Sequence, residues 1–348
     1  MALIKRFQNF YSRLYWKRRI FWIVVSALRR VTKPYRASII LSDSFPSISR
    51  QDHESQRQGK RKWGLVIQGP LSTSTQINRV LRYAEELKKN NSVLLVISTY
   101  LDEFNSNKFE SIRQCRNVLI VKSDYSEVGS NFQGQILTSF RGLKAASEQG
   151  CTHLIKLRSD QSIDLEVTLD LFDSILDTFP TLKEETRERL IFSSMNTWLY
   201  RPLGLSDMLI AGPSTSMLQY WSWDDEVKSL TNPKYALNIR CSDSWITGRS
   251  LFCETFLAAK YLLYKDFLFS TDSMADYQKA LQDYYVVINA QDINHAWDKR
   301  RPEVIGNTST KFANGLPPYL AREIQFSDWI LISQKGYRPY IMNPVLEV

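Results

Sequence analysis

The sequence predicts an α/β domain in which helices flank a mixed, mainly parallel sheet, preceded by a basic amphipathic helical arm. Short apolar runs, such as Val93–Ser98, alternate with segments whose apolar residues recur at helical spacing. This alternation is typical of β-α-β units with right-handed crossovers. Basic residues are concentrated near the N-terminus, with 15 Lys and Arg against 3 Asp and Glu in residues 1–62. The chain of 348 residues is long enough for one large domain and an arm.

Residues 1–31 form the predicted arm. Apolar side chains recur at helical spacing in its first half, and the apolar run Ile20–Leu28 is too short to cross a bilayer, which takes about 20 residues. A basic amphipathic helix that carries Trp and Phe is typical of segments that lie on anionic membranes. The alternative is a helix that packs on the body or on a second copy. Residues 32–62, rich in Ser, Arg, Gln and Lys, are predicted to be a linker.

The domain is predicted to span residues 63–300, and its first half has the more regular pattern. Predicted strands cover Gly64–Ile67, Val93–Ser98, Val118–Lys122 and Leu154–Arg158. Predicted helices cover Thr75–Asn90 and the segment marked by Phe132, Ile136, Phe140 and Leu143.

The second half is less regular. Strands are predicted at Leu190–Ser194, Met208–Ala211 and Tyr284–Asn289. Helices are predicted at Leu165–Phe179, from Pro213 to Trp221, and at about Gly248–Tyr264. Residues 301–348 are predicted to form a loop-rich extension packed on the domain, with Trp329–Ser333 as the last strand.

Composition and missing motifs argue against several classes of function. Residues 63–348 hold 30 basic against 33 acidic side chains, so the domain lacks the basic surface that nucleic-acid binding requires. The four cysteines form no CxxC, which argues against a disulfide framework or zinc site and favours the cytoplasm. Neither GxGxxG nor GxxxxGK[ST] occurs, so the Rossmann dinucleotide fingerprint and the P-loop are absent from the sequence.

Three polar clusters follow predicted strands: Gln68-Gly69-Pro70, Ser98-Thr99-Tyr100 and Arg158-Ser159-Asp160-Gln161. Ligands of open α/β sheets gather outside the carboxyl ends of the strands, so the clusters predict one site. Asp160 is the candidate ligand for Mn²⁺ or Mg²⁺, which would neutralise a sugar-nucleotide diphosphate. Lys156 or Arg158 can supply positive charge directly. The alternative is a structural ion pair of Arg158 with Asp160, with Asp160 capping the next helix.

A polar helix face is the second candidate feature. Asn131, Gln135, Thr138 and Gly142 share one face of a predicted helix, where they could hydrogen-bond a base, ribose or sugar and allow close approach. The alternative interpretation is an ordinary polar face, because polar residues alone are weak evidence for a ligand.

Inverting transfer to an acceptor hydroxyl would need a carboxylate base, and the second half of the chain offers several. The candidates are Asp207, Asp224, Asp225, Asp243 and Glu254. Glu254 is favoured because it lies in an otherwise apolar helix, where burial would raise its pKa, although an exposed helical Glu is the common case. His295 is a weaker candidate for a metal ligand or diphosphate contact, since a lone His is more often structural.

Six motifs occur in order along the chain: Ile67-Gln68-Gly69-Pro70, Ser98-Thr99-Tyr100, Asn131-x3-Gln135-Ile136, Gly142-Leu143, Lys156-x-Arg158-Ser159-Asp160-Gln161 and Ser206-Asp207-Met208. Together they resemble the WavE lipopolysaccharide-synthesis family, whose members look like GT-A glycosyltransferases of bacterial surface-glycan gene clusters. The resemblance covers about residues 63–265, with a looser echo near 286–299, and does not include the arm.

The resemblance implies a GT-A-like, Rossmann-like domain with Gln68 and Gly69 against the nucleotide. It implies that Asp160 corresponds to the metal-binding carboxylate and that Glu254 lies on the acceptor-side helix. This sequence departs from the family pattern at Gly134, where a basic residue is expected, and at Tyr100, where Trp is commoner. Asp160 also lacks the Asp-x-Asp partner of metal-dependent GT-A enzymes.

The predicted function is therefore transfer of a sugar from a nucleotide-sugar donor to a lipopolysaccharide, capsule or other lipid-linked acceptor. The arm would hold the enzyme on the cytoplasmic, inner face of an anionic membrane. One alternative is a sugar nucleotidyltransferase, which usually opens with a Gly-rich loop carrying a basic residue, unlike Gln68–Ser72. The other is a non-catalytic, membrane-associated glycan-assembly protein.

Overall fold

The computed structural model describes residues 61–88, 93–104, 107–115, 117–181, 183–225, 227, 253–269, 273–298 and 322–333. The predicted arm, nearly all of the predicted linker and the candidate base Asp243 lie outside these residues. Within the described ranges, no helix combines the length and the apolarity that a membrane span requires.

A seven-stranded mixed sheet forms the centre of the domain. Its strands are β1 (Trp63–Gln68), β2 (Val93–Tyr100), β3 (Val118–Ser123), β4 (His153–Arg158), β6 (Leu190–Ser193), β7 (Leu209–Pro213) and β8 (Tyr285–Ile288). They lie in the order β3-β2-β1-β4-β7-β6-β8. Neighbours are parallel except at β7, which is antiparallel to both β4 and β6. The predicted α/β class with a mainly parallel sheet is confirmed.

A small second sheet lies beside the first. Strand β5 (Gln161–Ser162) follows β4 closely and pairs antiparallel with β9 (Ala296–Trp297). This pairing brings the chain around Trp297 back to the carboxyl end of β4.

Helices follow most of the strands: α1 (Ser74–Leu87), α2 (Leu101–Phe104), α3 (Glu110–Arg113), α4 (Asn131–Glu148), α5 (Leu165–Thr178), α6 (Ser214–Tyr220), α7 (Cys253–Tyr264), α8 (Met274–Asp283) and α9 (Phe326–Ser333). Side-chain caps fix where the long ones begin. Thr73 and Gln76 form a capping box at α1, Ser130 caps α4, and Asp164 caps α5.

The core lies between the sheet and these helices. All six residues of β1 are buried, as expected for a strand covered on both faces. Large side chains fill the remaining space, among them Tyr83, Phe172, Phe192, Trp221 and Trp329. Close packing of this kind fixes the positions of the strand ends that carry the candidate site.

For the C-terminal part, one predicted strand is wrong and one helix was not predicted. Trp329–Ser333 was predicted as a strand, but it lies in helix α9, where the buried residues Trp329 and Ile332 are three apart, the spacing of one helical face. The Asp328 carboxylate also accepts the Gln325 N–H at 3.0 Å and so supports the first turn. Helix α8, which Ser273 caps and which buries Tyr277, Ala280 and Leu281, was not predicted from the sequence.

Candidate functional site at the carboxyl ends of the strands

The site lies where the sheet order reverses. After β1 the chain adds β2 and β3 on one side, and β4 is placed on the other side of β1. In open α/β sheets, such a switch point is where a ligand crevice is expected, outside the carboxyl ends of the two strands beside it. Gln68-Gly69-Pro70 and Arg158-Ser159-Asp160 flank it, because β1 and β4 run parallel with Gln68 beside Arg158.

The two strand ends are bonded to each other. The Ser159 N–H donates to the Gln68 carbonyl at 2.8 Å, and the Ser159 hydroxyl donates to the Pro70 carbonyl at 2.5 Å. Gly69 has a φ of +104°, a conformation that favours glycine, and its N–H donates to the Ser98 carbonyl at 3.0 Å. The three predicted clusters therefore do meet at one edge of the sheet.

Most of the polar side chains at these strand ends point into the protein. Gln68 Nε2 donates to Thr138 Oγ1 at 2.9 Å, and Ser98 Oγ donates to the Thr138 carbonyl at 2.6 Å. Thr99 Oγ1 donates to the Glu103 carboxylate at 2.7 Å. Gln68, Ser98 and Thr99 are all buried. These predicted donor-binding side chains hold helices α4 and α2 against the strand ends, and the groups they leave for a ligand are backbone groups.

Helix α4 brings the predicted polar face to the sheet. A Cβ on Gly142 would lie 2.5 Å from Val66 Cγ1 and 2.8 Å from Ser98 Cβ, so glycine lets the helix pack close to the sheet, whereas the predicted close approach was that of a ligand. Thr138 is buried in the same contact. Farther toward the N-terminus of the helix, the Gln135 amide donates to the Asp207 carboxylate and Asn131 is exposed at the rim.

Asp160 forms a closed ion pair. Arg158 Nε and one terminal guanidinium nitrogen donate to its two oxygens at 3.0 and 2.9 Å, and the Trp297 indole N–H donates to Oδ2 at 3.0 Å. Asp160 is 6% exposed. This geometry corresponds to the structural alternative for the Arg158–Asp160 pair. The capping half of that alternative is wrong, because Asp164 and not Asp160 caps α5.

The described residues do not fit a resident metal ion. No group of three or more His, Cys, Asp or Glu side chains within the described ranges is arranged to hold one. Both oxygens of Asp160 already accept hydrogen bonds. His295 is buried, with Nδ1 2.8 Å from the Ser193 hydroxyl at the end of β6. We therefore derive no chemical step from a metal at Asp160 or His295.

Lys156 has a different position from the one predicted. It is fully buried, its ammonium group lies 4.5 Å from the centre of the Trp221 ring, and it donates to the backbone carbonyl of Asp207. Burial lowers its pKa to about 8. Lys156 holds Asp207 in place from within the core and does not face a ligand.

Two carboxyl groups face the same region from the second half of the chain. Asp207 precedes β7, and the antiparallel direction of β7 brings it beside the carboxyl end of β4. Glu254 lies in the first turn of α7. Burial and then the negative charge of Asp207 raise the pKa of Glu254 to about 7, while the positive charge of Arg201 opposes the shift.

The other acidic candidates lie elsewhere. Asp224 accepts hydrogen bonds from the Tyr264 hydroxyl at 2.9 Å and from the Val227 N–H at 2.8 Å, so it connects α7 to the chain after α6. Asp225 is exposed.

Three residues of the site were not identified from the sequence. Arg79 donates to the Ser159 carbonyl at 3.0 Å and to Asp298 at 2.6 Å, which connects α1 to the chain after β4 and to the chain after β9. Trp297 covers the Arg158–Asp160 pair, and the Arg201 guanidinium donates to Thr255 Oγ1 at 3.3 Å beside Glu254. Each depends on contacts between distant segments, for which the local sequence gives no signal.

Comparison with known proteins gives no further information about this site. No protein-family model matches the chain, and a search of curated proteins finds no match either. The resemblance to the WavE family therefore stays a prediction that rests on the ordered motifs.

Proposed function

We propose that this chain is a glycosyltransferase with a GT-A-like domain, which transfers a sugar from a nucleotide-sugar donor to a lipopolysaccharide, capsule or other lipid-linked acceptor. The observation that carries the proposal is the pair of carboxyl groups, Asp207 and Glu254, beside the switch point of the sheet. A ligand crevice with a carboxyl group of pKa near 7 next to it suits base-assisted transfer to a hydroxyl.

In this proposal the two sides of the crevice have different tasks. Glu254 takes the proton of the acceptor hydroxyl while the oxygen of that hydroxyl bonds to the anomeric carbon of the sugar. The bond from that carbon to the diphosphate breaks, and its electron pair leaves with the diphosphate. Arg158, whose side chain is 25% exposed at the end of β4, stabilises the developing charge of the diphosphate in this proposal. Gln135 and Lys156 keep Asp207 fixed beside Glu254.

The location in the cell is part of the proposal and follows from the arm. A basic amphipathic segment would hold the enzyme on the anionic inner face of the membrane, where lipid-linked acceptors are found.

A binding and turnover experiment tests the function. The full chain is melted with a panel of nucleotide sugars, since a ligand at 100 times its Kd stabilises by about 2.7 kcal/mol. One nucleotide sugar should raise the melting temperature. Glu254→Gln should keep that rise but lower sugar transfer, followed as release of the nucleoside diphosphate with membrane lipid extract as acceptor, by at least about 100-fold.

Glu166→Gln is the control, because Glu166 lies in the first turn of a helix, as Glu254 does, but is exposed to solvent. It should leave binding and transfer unchanged. No thermal response to any nucleotide sugar would overturn the proposal and favour an assembly protein. Release of pyrophosphate from a nucleoside triphosphate and a sugar phosphate would favour the nucleotidyltransferase.

A further inference from the structure

Two tyrosines form an aromatic pair, called here the tyrosine pair, at the carboxyl ends of β2 and β3. Tyr100 is the last residue of β2, and Tyr125 follows β3. Their ring centres are 5.1 Å apart with an angle of 70° between the planes, an edge-to-face contact. Tyr125 is 49% exposed, so one side of its ring contacts Tyr100 while much of the rest is open to a ligand.

The position of Tyr100 depends on Gly134. A Cβ at residue 134 would collide with the Tyr100 hydroxyl. The two departures from the family pattern noted above are thus in contact with each other, because the Tyr100 hydroxyl fills the space that a side chain on Gly134 would need. Tyr100 in turn supports Tyr125 from the side of the sheet.

The amide side chain of Asn131 lies beside the tyrosine pair. The Tyr125 hydroxyl donates to Asn131 Oδ1 at 3.2 Å, and Asn131 is exposed at the start of α4. Because the amide oxygen accepts a hydrogen bond from the tyrosine hydroxyl, the amino group of Asn131 is the part of this side chain that can donate to a ligand.

The distance from the tyrosine pair to the switch point suits the length of a nucleoside diphosphate. Neighbouring strands are about 4.8 Å apart, so the end of β3 is roughly 10 Å from the end of β1 and roughly 14 Å from the end of β4. An extended nucleoside diphosphate bound along this edge would have its phosphates near Gly69 and Arg158 and its base near Tyr125.

We propose that Tyr125, supported by Tyr100, and Asn131 form the subsite for the donor's nucleobase, and that the subsite selects a base with a ring carbonyl, such as uracil, thymine or guanine, over adenine. This inference rests on the proposed function and specifies its donor. The Tyr125 ring stacks on the base. The Asn131 amino group donates to a carbonyl oxygen. The two-bond pairing of Asn with adenine also uses the amide oxygen, and the hydrogen bond from the Tyr125 hydroxyl takes one of its two lone pairs and so disfavours that pairing.

The test measures binding of UDP, dTDP, GDP and ADP to the full chain by thermal shift and calorimetry. At least one of the first three should bind, and ADP should bind at least about tenfold more weakly. Tyr125→Leu should weaken the best ligand by about tenfold or more, the size of one lost stacking contact. Tyr264→Leu is the matched control, because Tyr264 is also 49% exposed but lies at the end of α7, and it should not change binding.

A second variant separates stacking from base selection. Tyr125→Phe keeps the ring and releases the Asn131 oxygen, so the best ligand should keep its affinity within about threefold while the preference against ADP falls.

If the native chain binds UDP, dTDP or GDP and Tyr125→Leu binds it as tightly as Tyr264→Leu does, the subsite assignment is wrong although the proposed function stands. If ADP binds the native chain as tightly as the others, the base selection is wrong. If the native chain binds neither these nucleotides nor any nucleotide sugar, the proposed function itself fails.

Discussion

At the scale of single residues, Glu254 is the group whose protonation matters most. Burial and the charge of Asp207 raise its pKa from the ordinary value of 4.5 to about 7. Near neutral pH, about half of the molecules would then carry the deprotonated base. The same shift has a consequence for stability, because a carboxyl group binds its proton more tightly in the folded state than in the unfolded chain.

We predict that Glu254 makes the protein less stable as the pH rises from about 4.5 to about 7. The folded state holds more protons in this window, so the free energy of unfolding falls with pH by up to about 3 kcal/mol. Glu254→Gln removes this contribution. Urea denaturation of both proteins at pH 4.5 and pH 8 should show the variant gaining stability relative to the native chain at the higher pH. A difference between the two proteins that does not depend on pH would contradict the raised pKa.

The residues of β4 show what the sequence can predict at this scale. Because Lys156 and Arg158 are two residues apart in β4, strand alternation places them on one side of the strand. It does not predict that Lys156 is buried against Trp221 while Arg158 reaches the rim, because Trp221 arrives from a segment more than 60 residues away. Which side chain faces the ligand depends on these long-range contacts.

At the scale of elements, helix α4 connects most of the site. It contacts the ends of β1 and β2 through Thr138 and Gly142, and Asp207 through Gln135. The sequence pattern identified this face, but the close approach at Gly142 is to the sheet and not to a ligand. It did not show that the face packs mainly on the sheet, because a polar face for a ligand and a polar face for buried strand ends have the same spacing.

We predict that Gly142→Ala destabilises the protein by about 1–3 kcal/mol. In an isolated helix this change is stabilising by about 1 kcal/mol, so the expected sign is reversed. The reason is that the new Cβ would lie 2.5 Å from Val66 Cγ1 and would push α4 off the sheet. Urea denaturation measures the effect, with Lys144→Ala at an exposed position of the same helix as the control. A variant as stable as the native protein would show that the helix and sheet tolerate a wider separation.

At the scale of the whole molecule, the direction of β7 decides where the second half of the chain contributes. The sequence predicts the mainly parallel sheet from its short buried runs, but nothing local marks β7 as the reversed strand. Pairing with β4 and β6 fixes that direction. If β7 ran parallel to β4, Asp207 would lie at the opposite edge of the sheet, away from Arg158 and Glu254. The carboxyl pair is thus a property of the topology.

The C-terminal helix α9 is also part of this topology. Trp329 is 1% exposed, its indole N–H donates to the Leu281 and Tyr285 carbonyls at 3.1 and 2.8 Å, and its ring meets Phe179 edge to face at 5.1 Å. These contacts join α9 to α8, to β8 and to the end of α5. A helix attached in this way should unfold together with the sheet.

We therefore predict that Trp329→Ala lowers the free energy of unfolding by about 3–5 kcal/mol, as expected for a large aromatic side chain removed from a core, while unfolding stays a single transition. Leu331→Ala is the control, because Leu331 lies two residues later on the same helix and is 37% exposed, so its loss should cost less than half as much. Urea denaturation followed by tryptophan fluorescence and by circular dichroism measures both variants.

Equal, small effects of the two substitutions would mean that α9 is an appendage of the domain. A large effect of Trp329→Ala alone would mean that the residues around α9 help to hold β8 in position. Through β6, they would then also hold β7, which follows Asp207.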